Sequence, residues 1–181
     1  MAKNILILST SPRKGGNSET LADEFIRGAK EAGHQVEKVC LYDKTIGFCK
    51  GCLTCNKIHQ CVIHDDADTI AQKMRVADIL VFATPIYYYE MCGQMKTMLD
   101  RANPLYGSDY RFRDIYLLST AAEDEEDVPL RAESGLLGWI DCFPKTRLAG
   151  TVFAGSVDAI GSIKGHPSLK KAYEMGEAIS G

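Results

Sequence analysis

Apolar residues along the chain fall into two alternating patterns, short continuous runs and stretches that repeat every three to four positions. The runs Ile5-Leu6-Ile7-Leu8, Ile79-Leu80-Val81-Phe82-Ala83 and Ile115-Tyr116-Leu117-Leu118 are what strands buried on both faces require. Two further strands are expected around Val36, Val39 and Leu41, and over Leu148 to Ala154. Between the runs, apolar positions recur at helical spacing: Leu21, Phe25, Ala29 and Ala32, then Ala67, Ile70, Ala71 and Met74, then Met91, Met95, Met98, Leu99 and Ala102, then Leu136, Leu137 and Ile140. Start and stop signals agree with these limits. Gly33 follows the first helix, Asp65 or Asp66 precedes the second, Asn103-Pro104 stops the third, and Asp127 and Pro129 open the fourth. Pro167 opens a last helix whose Leu169, Ala172, Gly176 and Ile179 share a face.

Strand and helix alternate throughout, which predicts an α/β architecture with a doubly wound parallel sheet and helices on both faces. Five strands in this alternation fit the flavodoxin-like order 2-1-3-4-5, as a single domain over residues 1–181. The formal charge of −3 with scattered Lys and Arg presents no basic face, so nucleic acid is not an expected partner. No apolar run approaches the roughly 18 residues that a membrane span needs, and the start of the chain lacks a signal peptide's pattern, so a cytoplasmic location is expected. Seven cysteines, an odd number, do not suit a disulfide framework. Cys40, Cys92 and Cys142 are expected to be buried and inert, and the acidic run Glu123 to Asp127 to be a solvated loop.

The stretch Ser9 to Ser18 joins the first strand to the first helix. It therefore lies where unpaired backbone N–H groups and the helix dipole favour an anion. Gly15 and Gly16 allow the backbone to curl, while Ser9, Thr10, Ser11, Arg13, Asn17 and Ser18 supply donors. A phosphate monoester is the expected ligand, although an ordinary polar turn capped by Asn17 or Ser18 would use the same residues. The loop is neither G-x-x-x-x-G-K-[ST] nor G-x-G-x-x-G, which argues against ATP and against a dinucleotide held in the usual way.

In a sheet of this order, ligands bind at the carboxyl ends of the strands, at the switch between the first and third. The third strand leads into Thr84-Pro85-Ile86-Tyr87-Tyr88-Tyr89-Glu90, a flat apolar and aromatic wall suited to a planar ring. Phosphate at one loop and a planar heterocycle at the other is the arrangement of FMN. The same tyrosines would equally serve a subunit interface. Cys49, Cys52, Cys55 and Cys61 form a compact run whose first three members have the C-x2-C-x2-C spacing of bacterial ferredoxins, but the last gap is longer. Structural thiols, a Cys49–Cys52 redox dithiol, or Zn²⁺ taken with His59 or His64 are the alternatives to an iron–sulfur cluster. No Cys has an Arg six residues later, which excludes a Cys-dependent phosphatase signature.

Ser11-Pro12-Arg13-Lys14 with Gly16-Asn17-Ser18, the cysteine run followed by Asp65-Asp66, Thr84-Pro85-Ile86-Tyr87, and Gly93, Lys96, Asp100 and Arg101 occur in this order. In these motifs the chain resembles the NADPH-dependent FMN reductase-like flavoproteins of the flavodoxin superfamily, near their iron–sulfur branch. The resemblance implies that Ser9, Ser11, Arg13, Asn17 and Ser18 hold the FMN phosphate and that Pro85, Ile86, Tyr87 and Tyr88 line the ring. It implies an NAD(P)H-dependent oxidoreductase passing electrons through FMN to a small-molecule or protein acceptor, and the aromatic patch Tyr87-Tyr88-Tyr89 is expected to be covered in a homodimer or homotetramer. The alternative it carries is an electron carrier with a [4Fe–4S] cluster on Cys49, Cys52, Cys55 and Cys61 and no nicotinamide turnover. A redox sensor built on the cysteine loop is a third reading. Thr10 stands where many relatives have Gly, and Thr120-Ala121-Ala122 replaces a Gly-containing third loop.

Overall fold

The computed structural model describes residues 1–181. Its elements are β1 (Asn4–Ser9), α1 (Asn17–Glu31), β2 (Gln35–Cys40), α2 (Cys55–Ile58), α3 (Asp66–Val76), β3 (Ile79–Tyr87), β4 (Glu90–Met91), α4 (Gly93–Arg101), β5 (Asp114–Thr120), α5 (Leu130–Ile140), β6 (Arg147–Ala154) and α6 (Pro167–Glu177). Five parallel strands run in the order β2-β1-β3-β5-β6, the expected flavodoxin-like arrangement, and β4 adds an antiparallel pair to β3.

The continuous apolar runs are explained by burial on both sides. Alternate residues of β1, β3 and β5 divide between two cores: Leu6, Leu8, Leu80, Phe82, Ile115 and Leu117 face α3, α4 and α5, and Ile5, Ile7, Ile79, Val81 and Leu118 face α1 and α6. Each such side chain contributes about 1.5–3 kcal/mol by leaving water. The expected caps also form. Asp65 accepts a hydrogen bond from the Ala67 N–H at the start of α3, and Gly33 ends α1 with φ of +89°.

Several limits differ from the pattern-based reading. β3 continues past Ala83 to Tyr87 and folds back into β4, so Met91 belongs to a strand and the tyrosine loop is a hairpin. Its register, Ile86 opposite Met91 and Tyr87 opposite Glu90, leaves Tyr88 and Tyr89 as a two-residue turn at φ of 52° and 64°. Such turns favour Asn and Gly, and the left-handed conformation costs a tyrosine roughly 1–2 kcal/mol. Ala32 and Leu137 are exposed, and Leu41 lies in a 3-10 turn beyond β2. Cys92 is buried as expected, whereas Cys40 is half-buried and Cys142 is exposed. No helix is long and apolar enough to cross a membrane.

Candidate functional site

The loop between β1 and α1 is a cradle with unused donors. Gly16 occupies the N-cap position, so no side chain caps the first turn of α1. Ser9 Oγ, Ser18 Oγ and Arg13 Nε are all buried without a partner. Leaving one such group unpaired costs about 1–3 kcal/mol, so three in one loop fit an anion that would accept from them. The cradle has no room for a larger residue at its base, because a Cβ on Gly16 would lie 2.9 Å from Ser11 Oγ. Ser11 itself is turned inward, its hydroxyl donating to Arg13 O and accepting from Arg13 N, both at 3.1 Å. Behind the loop, Glu19 accepts from Gly15 N at 2.8 Å and pairs with Lys38 at 3.0 Å. Burial pushes the Glu19 carboxyl up, but Lys38 and the Gly15 N–H outweigh it and hold the group below its usual range.

Asn17 has a different geometry from that of a phosphate donor. Its Nδ2 donates to Ala159 O at 2.9 Å and Ser162 Oγ at 3.2 Å, while its Oδ1 accepts from Gly161 N at 3.1 Å. The side chain thus fastens the 159–163 loop to the start of α1, leaving only its backbone N–H for a ligand. Arg13 reaches the same region, with Nη1 donating to Asp158 O at 2.8 Å. Thr10, in place of the Gly of many relatives, has its hydroxyl on Ala83 O at 3.0 Å and touches Cys92 Sγ at 3.2 Å. Cys92 N in turn donates to Thr84 Oγ1 at 3.2 Å. A buried polar knot therefore ties the phosphate loop to the end of β3.

Arg13, Pro85, Ile86, Tyr87 and Tyr88 line one cavity of about 450 Å³ at the carboxyl ends of the strands, opposite Thr120 to Glu123 and Val157-Asp158. Ser9, Ser11, Asn17 and Ser18 do not line it and lie in the cradle beside it. Thr120-Ala121-Ala122 reaches the cavity without a glycine, and Gly155 packs closely against the residues that follow it. A Cβ on Gly155 would meet Asp124 Oδ1 at 2.1 Å, and Val157 N bonds Ala121 O at 2.8 Å. The Val157-Asp158 wall escaped the sequence reading. The available signal was Gly155 directly after the last strand, a mark of close backbone approach.

Cys49, Cys52, Cys55 and Cys61 open onto a second cavity, of about 630 Å³, which shares no lining residue with the first. The loop leaves β2 at the carboxyl edge but is then carried over the ends of α4 and α5, where Leu99, Trp139 and Phe143 form apolar walls. Exposed Cys142 also faces this cavity, correcting its expected burial. Three of the four sulfurs accept a hydrogen bond. Gly51 N and Ile63 N donate to Cys49 Sγ and Cys61 Sγ, both at 3.4 Å, and Asn103 Nδ2 donates to Cys55 Sγ at 2.9 Å. The backbone N–H and hydroxyl of Thr54 hold the Cys52 thiol below its usual pKa. A thiol is a weak acceptor and a thiolate a strong one, so this donor set suits metal-bound sulfur. No three of these groups converge closely enough for a single ion, and His64 is turned to Asp68 at 3.1 Å. Four thiols thus line one largely apolar cavity, and these are the groups available to a metal there.

The family model for NADPH-dependent FMN reductase matches residues 3–131. The chain belongs to that family. It is accordingly a flavoprotein oxidoreductase, and the phosphate cradle and ring cavity fit FMN as a group. An iron–sulfur flavoprotein of Archaeoglobus fulgidus is 31% identical over 177 residues, covering 94% of this chain and 76% of the relative. An iron–sulfur flavoprotein of Methanosarcina thermophila is 38% identical over 95 residues, 52% of this chain and 50% of the relative. Among solved structures, an NAD(P)H:quinone oxidoreductase from Methanothermobacter marburgensis superposes with a TM-score of 0.77 at 19% identity, covering 99% of this chain and 100% of the other, a likeness of fold.

Proposed function

We propose that this family member is an electron-transferring oxidoreductase carrying FMN at the strand ends and a [4Fe–4S] cluster on Cys49, Cys52, Cys55 and Cys61. The single observation carrying the cluster is that all four sulfurs line one cavity, three of them accepting an N–H donor. The iron–sulfur names of the two relatives support it. FMN supplies the exchange between two-electron and one-electron chemistry, and the cluster supplies one-electron transfer. Ser9, Ser18, Arg13 and the first N–H groups of α1 would hold the phosphate. Pro85, Ile86, Tyr87 and Tyr88 would flank the ring and exclude water from one side.

A second reading, in which NAD(P)H is the electron donor, is favoured by the family's description and by the open cavity in front of Tyr87. Because the two cavities share no wall, a neighbouring subunit's flavin is the natural electron partner of the cysteine loop. Exposed Tyr88, at 98%, and Phe48, at 80%, support at least a dimer. Protein purified without oxygen should bind about four irons per chain and lose them in Cys52→Ser while keeping its yellow flavin. Anaerobic reconstitution that leaves the iron content at zero would sink the cluster. NADPH oxidation by the FMN-loaded protein decides the electron donor, and light scattering decides the assembly.

A further inference from the structure

Arg101 is the largest fully buried side chain in the molecule, and its guanidinium is turned to the cysteine loop. Nη1 donates to Gly47 O at 2.8 Å and Asp65 Oδ2 at 2.7 Å, and Nη2 donates to Ile63 O at 2.8 Å and Asp65 Oδ1 at 2.9 Å. A guanidinium has five N–H donors, and these bonds occupy the four on the two terminal nitrogens. The fifth, on Nε, is buried and has no partner. Gly47 and Ile63 bracket all four cysteines, so one side chain grips both ends of the segment that carries them.

We propose that Arg101 is a positioning residue of the cysteine site, closing the loop through its terminal nitrogens and setting a buried cation with one unused N–H at its base. The proposal rests on the cluster reading above. Holding an α3 cap in place would need only the Asp65 pair. The two loop carbonyls and the spare donor have no use in that role. A buried cation at the base of the cysteine loop stabilises the more negative, reduced form of the site, so its removal should lower the potential.

The test uses FMN-loaded protein reconstituted with iron and sulfide under anaerobic conditions, as wild type, Arg101→Lys and Arg101→Gln. Iron retained against a chelator, the cluster potential followed by EPR and the flavin potential followed by absorption are read on the same samples. Both variants should hold iron roughly tenfold or more weakly. Their cluster potential should move negative, with the Lys variant, which keeps the charge without the Nε–H, closer to wild type. The flavin potential should stay in place. Variants that match wild type in iron retention and cluster potential, even with a lowered melting temperature, would reduce Arg101 to a structural role and overturn the proposal. A wild type that takes up no iron overturns the cluster reading, and this proposal with it. Folded Arg101→Lys is enough to support or overturn the proposal if Arg101→Gln does not fold.

Discussion

The flavin cavity takes its walls from the ends of β1, β3, β5 and β6, whereas the cysteine cavity is lined by a segment whose only regular element is the four-residue α2. In the first, position is inherited from the sheet: backbone ladders fix where Arg13, Pro85 and Thr120 emerge, and side chains need only trim the distances. In the second, position is imposed by side chains reaching in from elsewhere, Arg101 and Asn103 from the end of α4 and Asp65 from the cap of α3. One difference follows for energetics. A cavity hung on a few charged contacts fails when one of them is lost, and a cavity built on strand ends degrades gradually.

The largest expected effect breaks the side-chain scaffold. Asp65→Asn leaves Arg101 buried with its charge uncompensated, so stability in chemical denaturation should fall by about 3–5 kcal/mol. Amide exchange should accelerate first in residues 47–65, while FMN affinity of the folded fraction changes little. Equal acceleration across both cavities would erase the contrast. The same pair predicts an acid limit. Burial raises the Asp65 carboxyl, but the Arg101 hydrogen bonds and the Gly47 and Ala67 N–H groups outweigh it, so its folded pKa lies below the usual range. A depressed carboxyl adds stability that is complete above its unfolded pKa near 3.9 and is lost as pH falls through the lower folded value. Stability against pH should therefore be flat with respect to Asp65 above about 4 and fall below it. That decline should be absent in Asp65→Asn.

Next in size is Arg13→Ala, which removes a charged donor from the phosphate cradle. A loss of about 1.5–3 kcal/mol makes FMN binding roughly ten- to hundredfold weaker by titration. Riboflavin, lacking the phosphate, should bind less tightly than FMN to the wild type and respond little to the substitution. Equal affinities for the two flavins would show that the cradle holds no phosphate. Iron content should be unaffected, which separates the two cavities from the other side.

The smallest effect concerns the hairpin tip. Tyr88→Gly removes a side chain from a left-handed position and should stabilise the isolated fold by about 1 kcal/mol in thermal unfolding. If Tyr88 covers an interface, the same substitution should weaken the dimer in light scattering. A variant neutral in both measurements would leave the tyrosine without either role.

Chain composition and periodicity by themselves determined the alternation of strands and helices, both loops at the strand ends and the run of four cysteines. These features are local, set by a period of two or 3.6, by a cap, or by a spacing of two residues. Tertiary structure decided which of the flagged groups serve a ligand. Asn17 reads as a phosphate donor until the 159–163 loop, distant in the chain, takes its amide. Cys142 reads as buried until the end of α5 turns it to the cysteine cavity. Arg101 enters the sequence reading only as one member of the motifs that carry the resemblance, yet its partners Gly47, Ile63 and Asp65 lie far back in the sequence. Hydrogen-bond partners and burial across such separations depend on how the elements pack, and no local period encodes them.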